Sequence, residues 1–134
     1  MPNTRDPLHP PHVARILLVD DDPLITQLVV DMLSLDGHDV DTAPNGLAAL
    51  NRVQRQRYDL ILTDLHMPEL DGIGLYRELG RRHAHPQNKI IFITGTTGTS
   101  DAHRLMQETG VPLLRKPFNL VELLALIRKM LDTP

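Results

Sequence analysis

The stretch ILLVDDDPLI, residues 16 to 25, sets four apolar residues directly against three carboxylates. Adjacent like charges repel, and desolvating even one carboxylate without a partner is expensive. The run Asp20, Asp21, Asp22 is therefore either a solvated loop or a place where something positive sits. Asp22 has a local explanation, because Asp at the N-cap followed by Pro at the first helical position is a favoured helix start. Asp20 and Asp21 have none.

The apolar half of the stretch is one of several. RILLV, DLILT and KIIFIT are continuous apolar runs, the pattern of strands covered on both faces. HDVDTA alternates with period two and reads as an edge strand, and VPLLR is a short fifth candidate that Pro112 restricts to an edge or a strand start. Helical stretches lie between them. After Pro23, Leu24, Ile25, Leu28, Val29, Met32 and Leu33 form an apolar stripe, and Gly37 stands where a C-terminal glycine belongs. NGLAALNRVQRQ with Asn45 as cap, GIGLYRELGRR, SDAHRLMQETG ending at Gly110, and NLVELLALIRKML with Asn119 as cap complete the set.

Strand and helix in alternation predict an α/β fold, a five-stranded parallel sheet with right-handed crossovers and helices on both faces. The order 2-1-3-4-5 is the common one for such flavodoxin-like doubly wound sheets and is taken over from that rule; it puts the crevice at the carboxyl ends of strands 1 and 3. Residues 14–132 form the domain, and residues 1–13, with four prolines and little apolar content, read as a disordered tail or linker remnant. His9, His12, His83 and His85 lack a third ligand at a recognisable spacing and read as solvated loop histidines.

Composition narrows the function. The 134 residues suit one domain, large enough to bury roughly two thirds of its extended-chain surface. A net charge of −3, two Phe, two Tyr and no Trp argue against nucleic acid, and Arg52, Arg55 and Arg57 read as an exposed helix side. Cysteine is absent, which excludes thiol chemistry, and there is no run of membrane-spanning length and no signal-peptide core. A cytoplasmic protein without membrane contact is the expectation.

Asp20 and Asp21 follow strand 1, Asp64 follows strand 3, Thr94 ends strand 4 and Lys116 follows strand 5. In the expected order these ends converge on one crevice. Three carboxylates against one lysine leave two excess negative charges, which a divalent cation cancels, and all-oxygen donors suit Mg²⁺. Were Asp64 to accept a phosphoryl group, the site with its metal would carry a charge of about −1. Thr94 and Lys116 are suited to hold phosphoryl oxygens.

These residues resemble the receiver domain of two-component response regulators, on four motifs in order: the acidic pair of VDDD, TDLHMPELDG around Asp64, Thr94 in FITG, and KPF at Lys116. The resemblance implies a signalling phosphoacceptor rather than an enzyme, with Asp64 phosphorylated from a histidine kinase or a histidine phosphotransfer protein. It implies Asp21 and Asp64 as direct Mg²⁺ ligands, the main-chain carbonyl of His66 as a third, and Asp20 acting through water. It further implies Thr94 and Lys116 on the phosphoryl group and a cis Lys116–Pro117 bond. Three residues before Lys116, where many receivers carry a switch aromatic, this chain has Leu113. The Pro-rich start and the end at MLDTP suit the receiver of a hybrid histidine kinase or a single-domain regulator. Two rivals are a receiver-like module used only for binding, and a haloacid-dehalogenase-type phosphatase using Asp20 and Asp22. Against the latter, Leu24 stands where that motif carries Thr or Val, no acidic pair follows Lys116, and TDLHMPELDG goes unexplained.

Overall fold

The computed structural model describes residues 14–82, 89–95 and 100–132. The 1–13 tail and the four histidines at 9, 12, 83 and 85 lie outside the described residues. Strand and helix alternate through β1 (Arg15–Val19), α1 (Pro23–Leu35), β2 (Asp39–Ala43), α2 (Gly46–Arg55), β3 (Leu60–Asp64), α3 (Gly72–Arg81), β4 (Ile90–Thr94), α4 (Ser100–Thr109), β5 (Leu113–Arg115) and α5 (Leu120–Asp132). All pairings are parallel and the order is β2-β1-β3-β4-β5, as expected. Among the described residues no helix is long and apolar enough to cross a membrane.

Because successive strand residues point to opposite faces, each continuous apolar run supplies two cores at once. Leu17, Val19, Ile61 and Phe92 pack with Ala49 and Leu50 of α2 and with Leu75 and Leu79 of α3. Ile16, Leu18, Leu60, Leu62, Ile91 and Ile93 pack on the other face with Val29 and Leu33 of α1 and with Leu123 and Ile127 of α5. Each such aliphatic side chain is worth roughly 1.5 to 3 kcal/mol of transfer free energy.

The helix ends follow their sequence signals. Asp22 caps α1 by accepting the Leu24 N–H at 3.0 Å, with Pro23 in the first turn. Asn45 accepts from Ala48 at 2.8 Å, and Asn119 from Glu122 at 2.8 Å. Gly37 and Gly110 have φ of 90° and 74°, the left-handed region that ends a helix.

Four details differ from the sequence expectation. Asp64 is the last residue of β3 and does not follow it, because the sheet continues past it: the Leu65 N–H donates to the Ile93 carbonyl at 2.9 Å. The fifth strand is only three residues, with Pro112 before it; its carbonyl accepts the Phe92 N–H at 2.9 Å, but proline offers no N–H in return. The stripe of α1 is wider than the surface it meets, leaving Leu24 80% and Leu28 52% exposed. In β2 the alternation is blurred, since Asp41 is half-buried. It accepts the Tyr58 hydroxyl at 2.6 Å and lies 3.9 Å from Arg15.

That last contact has a measurable consequence. Burial, reinforced by the Asp41 carboxylate, pushes the Tyr58 phenol from 10.0 up to about 12. A proton held more tightly in the folded state adds stability below the unfolded pKa, and that stability is lost as pH rises through the folded one. Chemical denaturation of wild type is expected to show a stability loss between pH 10 and about 12, and Tyr58→Phe to flatten it. At pH 7 the same substitution is expected to cost about 1 kcal/mol for the lost hydrogen bond.

Candidate functional site

The carboxyl ends of β1, β3, β4 and β5 bring the singled-out residues together. Asp20 directly follows β1, and its N–H donates to the Ala43 carbonyl at 3.1 Å, so its backbone remains part of the sheet. Its side chain is almost wholly buried. One oxygen accepts the Asp22 N–H at 2.9 Å, and the other lies 3.3 Å from Lys116 Nζ. Lys116 reaches this point because its own N–H is fixed to the Thr94 carbonyl at 2.7 Å, extending the β4–β5 pairing by one residue. The Lys116–Pro117 bond is cis, as the resemblance implied.

Asp64 stands on the neighbouring strand, half-buried, with one oxygen 3.5 Å from the same ammonium. The other oxygen accepts a long hydrogen bond, 3.4 Å, from the His66 N–H. Asp21 is exposed at the mouth of the crevice, and Thr94 is fully buried at the end of β4. One oxygen from each of Asp20, Asp21 and Asp64 lies within 4.8 Å of the others.

One ammonium among three carboxylates leaves the cluster short of positive charge. Burial pushes the Asp64 carboxyl above its ordinary value; Lys116 opposes the rise, Asp20 adds to it, and the His66 N–H opposes it. The donor set is entirely carboxylate oxygen, part buried and part open to water, which fits a hard divalent cation such as Mg²⁺ and not a thiolate- or imidazole-loving metal. The third carboxylate of the opening stretch is engaged elsewhere. Asp22 serves as the cap of α1, which removes it from the acid/base role that a phosphatase using Asp20 and Asp22 requires.

The family model for the response regulator receiver domain matches residues 16–128. The chain belongs to that family. It is similar to the response regulator receiver protein CpdR of Brucella abortus, at 40% identity over 124 residues, 87% of this chain and 96% of the relative. It is also similar to the sensor kinase CckA of the same organism, 34% identical over 89% of this chain but only 13% of the kinase. Among solved structures, the receiver domain of the sensor histidine kinase PA1611 from Pseudomonas aeruginosa superposes with a TM-score of 0.78 at 31% identity. That match covers 90% of this chain and 99% of that one, whose structure has a magnesium ion coordinated in the active site cleft.

Beside the receiver crevice lies a feature that periodicity alone did not disclose. A groove of about 380 Å³ runs between α1 and the segment after β5, lined by Ile25, Leu28, Met32, Lys116, Pro117 and Phe118. Its apolar wall continues the half of the α1 stripe that the core leaves uncovered. The only sequence signal was the width of that stripe. Arg52 and Arg55 are exposed on α2, as expected, on the opposite side of the sheet from α1; Arg57 is exposed too but lies past the end of that helix, which closes at Gln56.

Because burial makes the ionised Asp64 unfavourable, its proton is bound more tightly folded than unfolded. The stability this gives is present at acid pH and lost as pH rises through the folded pKa. Asp64→Asn is therefore expected to melt higher than wild type at pH 7 without divalent cations. The gap should close as the pH falls toward 4, which thermal melts across that range will show.

Proposed function

We propose that this receiver domain takes a phosphoryl group from a phosphohistidine onto Asp64. The observation that carries the reading is the convergence of Asp20, Asp21, Asp64 and Lys116, from three strand ends, on one partly solvated crevice. An Asp64 oxygen attacks phosphorus, the P–N bond breaks, and the imidazole keeps the electron pair and leaves neutral after taking up a proton. The product is an acyl phosphate carrying close to one more negative charge than the carboxylate it replaces. Lys116, within salt-bridge distance of Asp64, would pair with a phosphoryl oxygen, and the hydroxyl of Thr94 would donate to another.

In this reading Asp21 and Asp64 would hold Mg²⁺ directly, with the main-chain carbonyl of His66 as a third ligand and Asp20 acting through water. When bound, it supplies the charge neutralisation that phosphoryl transfer demands of a protein. The chain's own residues supply the rest. Asp20 orients Lys116, Lys116 holds Asp64, and the half-burial of Asp64 limits the water around the acceptor oxygen.

The donor is read as a histidine kinase or a histidine phosphotransfer protein. Leu24 and Leu28 stand exposed beside the crevice, and the groove along α1 is mostly apolar. Such a face suits the apolar flank of a helix that presents a phosphohistidine to Asp64.

Intact mass after incubation with a small phosphodonor and Mg²⁺ tests the chemistry. A phosphate adduct that needs the metal, is cleaved by hydroxylamine and is absent from Asp64→Asn is the expected result. An adduct that persists in Asp64→Asn and vanishes in Asp20→Asn would point instead to the phosphatase chemistry. For the docking face, Leu28→Glu is expected to slow transfer from a phosphorylated donor protein by about tenfold or more, since burying one leucine is worth roughly 1.5 to 3 kcal/mol. Labelling by the small donor should be unchanged; equal transfer rates would reject the face.

A further inference from the structure

The loop from Leu65 to Asp71 joins the phosphoacceptor to α3, and its shape is set by contacts that admit no side chain. At its start, the Gly72 N–H donates to the Leu65 carbonyl at 3.1 Å, and α3 begins directly against the backbone of Asp64. A Cβ at Gly72 would sit 2.5 Å from the Asp64 carbonyl oxygen and 3.1 Å from Leu65 Cα. At its far end, the loop returns to the first turn of α2, where the Gly46 N–H donates to the Leu70 carbonyl at 3.0 Å. A Cβ at Gly46 would strike that carbonyl oxygen and lie 2.7 Å from Leu70 Cβ. In both places the obstacle is backbone or a Cβ, which no rotamer change relieves. Between them the loop holds Glu69 at φ 68°, a left-handed conformation costly for a residue with a side chain unless its surroundings impose it.

We propose that Gly46 and Gly72 are positioning residues for the metal-assisted phosphoacceptor. Together they clasp the loop from two helices, and so fix where the Asp64 carboxylate and the His66 main chain stand relative to Asp20 and Asp21. The inference rests on the phosphoacceptor reading above and adds to it a contribution from α2, a helix that holds none of the residues assigned to that chemistry. Gly74 provides the contrast within α3. A Cβ there meets side-chain atoms only, Leu70 Cδ1 at 2.8 Å and Asp71 Oδ1 at 3.2 Å, and the leucine end can turn away.

The experiment is Mg²⁺ titration calorimetry on the full chain. Wild type is compared with Gly46→Ala, Gly72→Ala, Gly74→Ala and Leu79→Ala, the last a core truncation that lowers stability away from the loop. Gly46→Ala and Gly72→Ala are expected to weaken Mg²⁺ binding about ten- to a hundredfold, the range typical when a supporting group behind a metal ligand is disturbed. Gly74→Ala and Leu79→Ala should bind as wild type does. Wild-type affinity in folded Gly46→Ala and Gly72→Ala overturns the proposal, as does an equal loss in Leu79→Ala. If the two alanine variants do not fold, amide exchange on wild type decides. Mg²⁺ should then slow exchange at Gly46 more than at Leu123 of α5, and an equal effect at both overturns the clasp. A wild type that binds no Mg²⁺ and takes no phosphate removes the phosphoacceptor reading and the clasp with it, whereas labelled wild type with unaffected glycine variants removes the clasp alone.

Discussion

A single ammonium stands between two carboxylates that belong to different strands. Lys116 Nζ is 3.3 Å from Asp20 and 3.5 Å from Asp64, although 96 residues separate Lys116 from Asp20. Without that charge, the buried Asp20 and half-buried Asp64 would face each other unscreened at the end of the sheet. With it, the repulsion is lowered but not removed, because Asp21 adds a third negative group at the mouth. The crevice is thus left in want of positive charge. That want costs stability in the resting protein, and in the proposed reading a divalent cation would relieve it and then offset the charge of an incoming phosphoryl group.

The parallel sheet is what makes the arrangement possible. Parallel strands present all their carboxyl ends at one edge, and the order β2-β1-β3-β4-β5 puts the end of β1 beside that of β3 and carries β5 close enough for a lysine to reach across. The two buried faces hold the strands in register, so the side chains just beyond them are positioned by core packing and not by the loops that carry them. The caps serve the same end. Asp22 starts α1 immediately after the pair Asp20 and Asp21, and its N–H is held by Asp20, so the acid pair and the helix start stabilise each other.

The family match and the convergence of Asp20, Asp21, Asp64 and Lys116 point to the same receiver crevice. The chain is similar both to a receiver protein of about its own length and to one stretch of a much longer sensor kinase. In this chain Leu113, paired with Phe92 across β4–β5, stands where many receivers carry an aromatic, and α1 leaves Leu24 and Leu28 uncovered.

Much of this was legible in the residues alone. Apolar runs of strand length, helices with Asp22, Asn45 and Asn119 at their starts, and acids, a hydroxyl and a lysine at strand ends are local signals, produced by backbone geometry and by the cost of burying charge. They determined the fold class, the helix starts and the membership of the site. Tertiary structure alone decided which half of the α1 stripe meets the sheet, that the Tyr58 hydroxyl donates a hydrogen bond to Asp41, and that Gly46 of one helix closes on the loop ahead of another. Periodicity reports the face a side chain occupies on its own element. How closely two elements approach, and so which charges share a site and which glycines admit no substitute, depends on how whole surfaces pack, and no single segment carries that information.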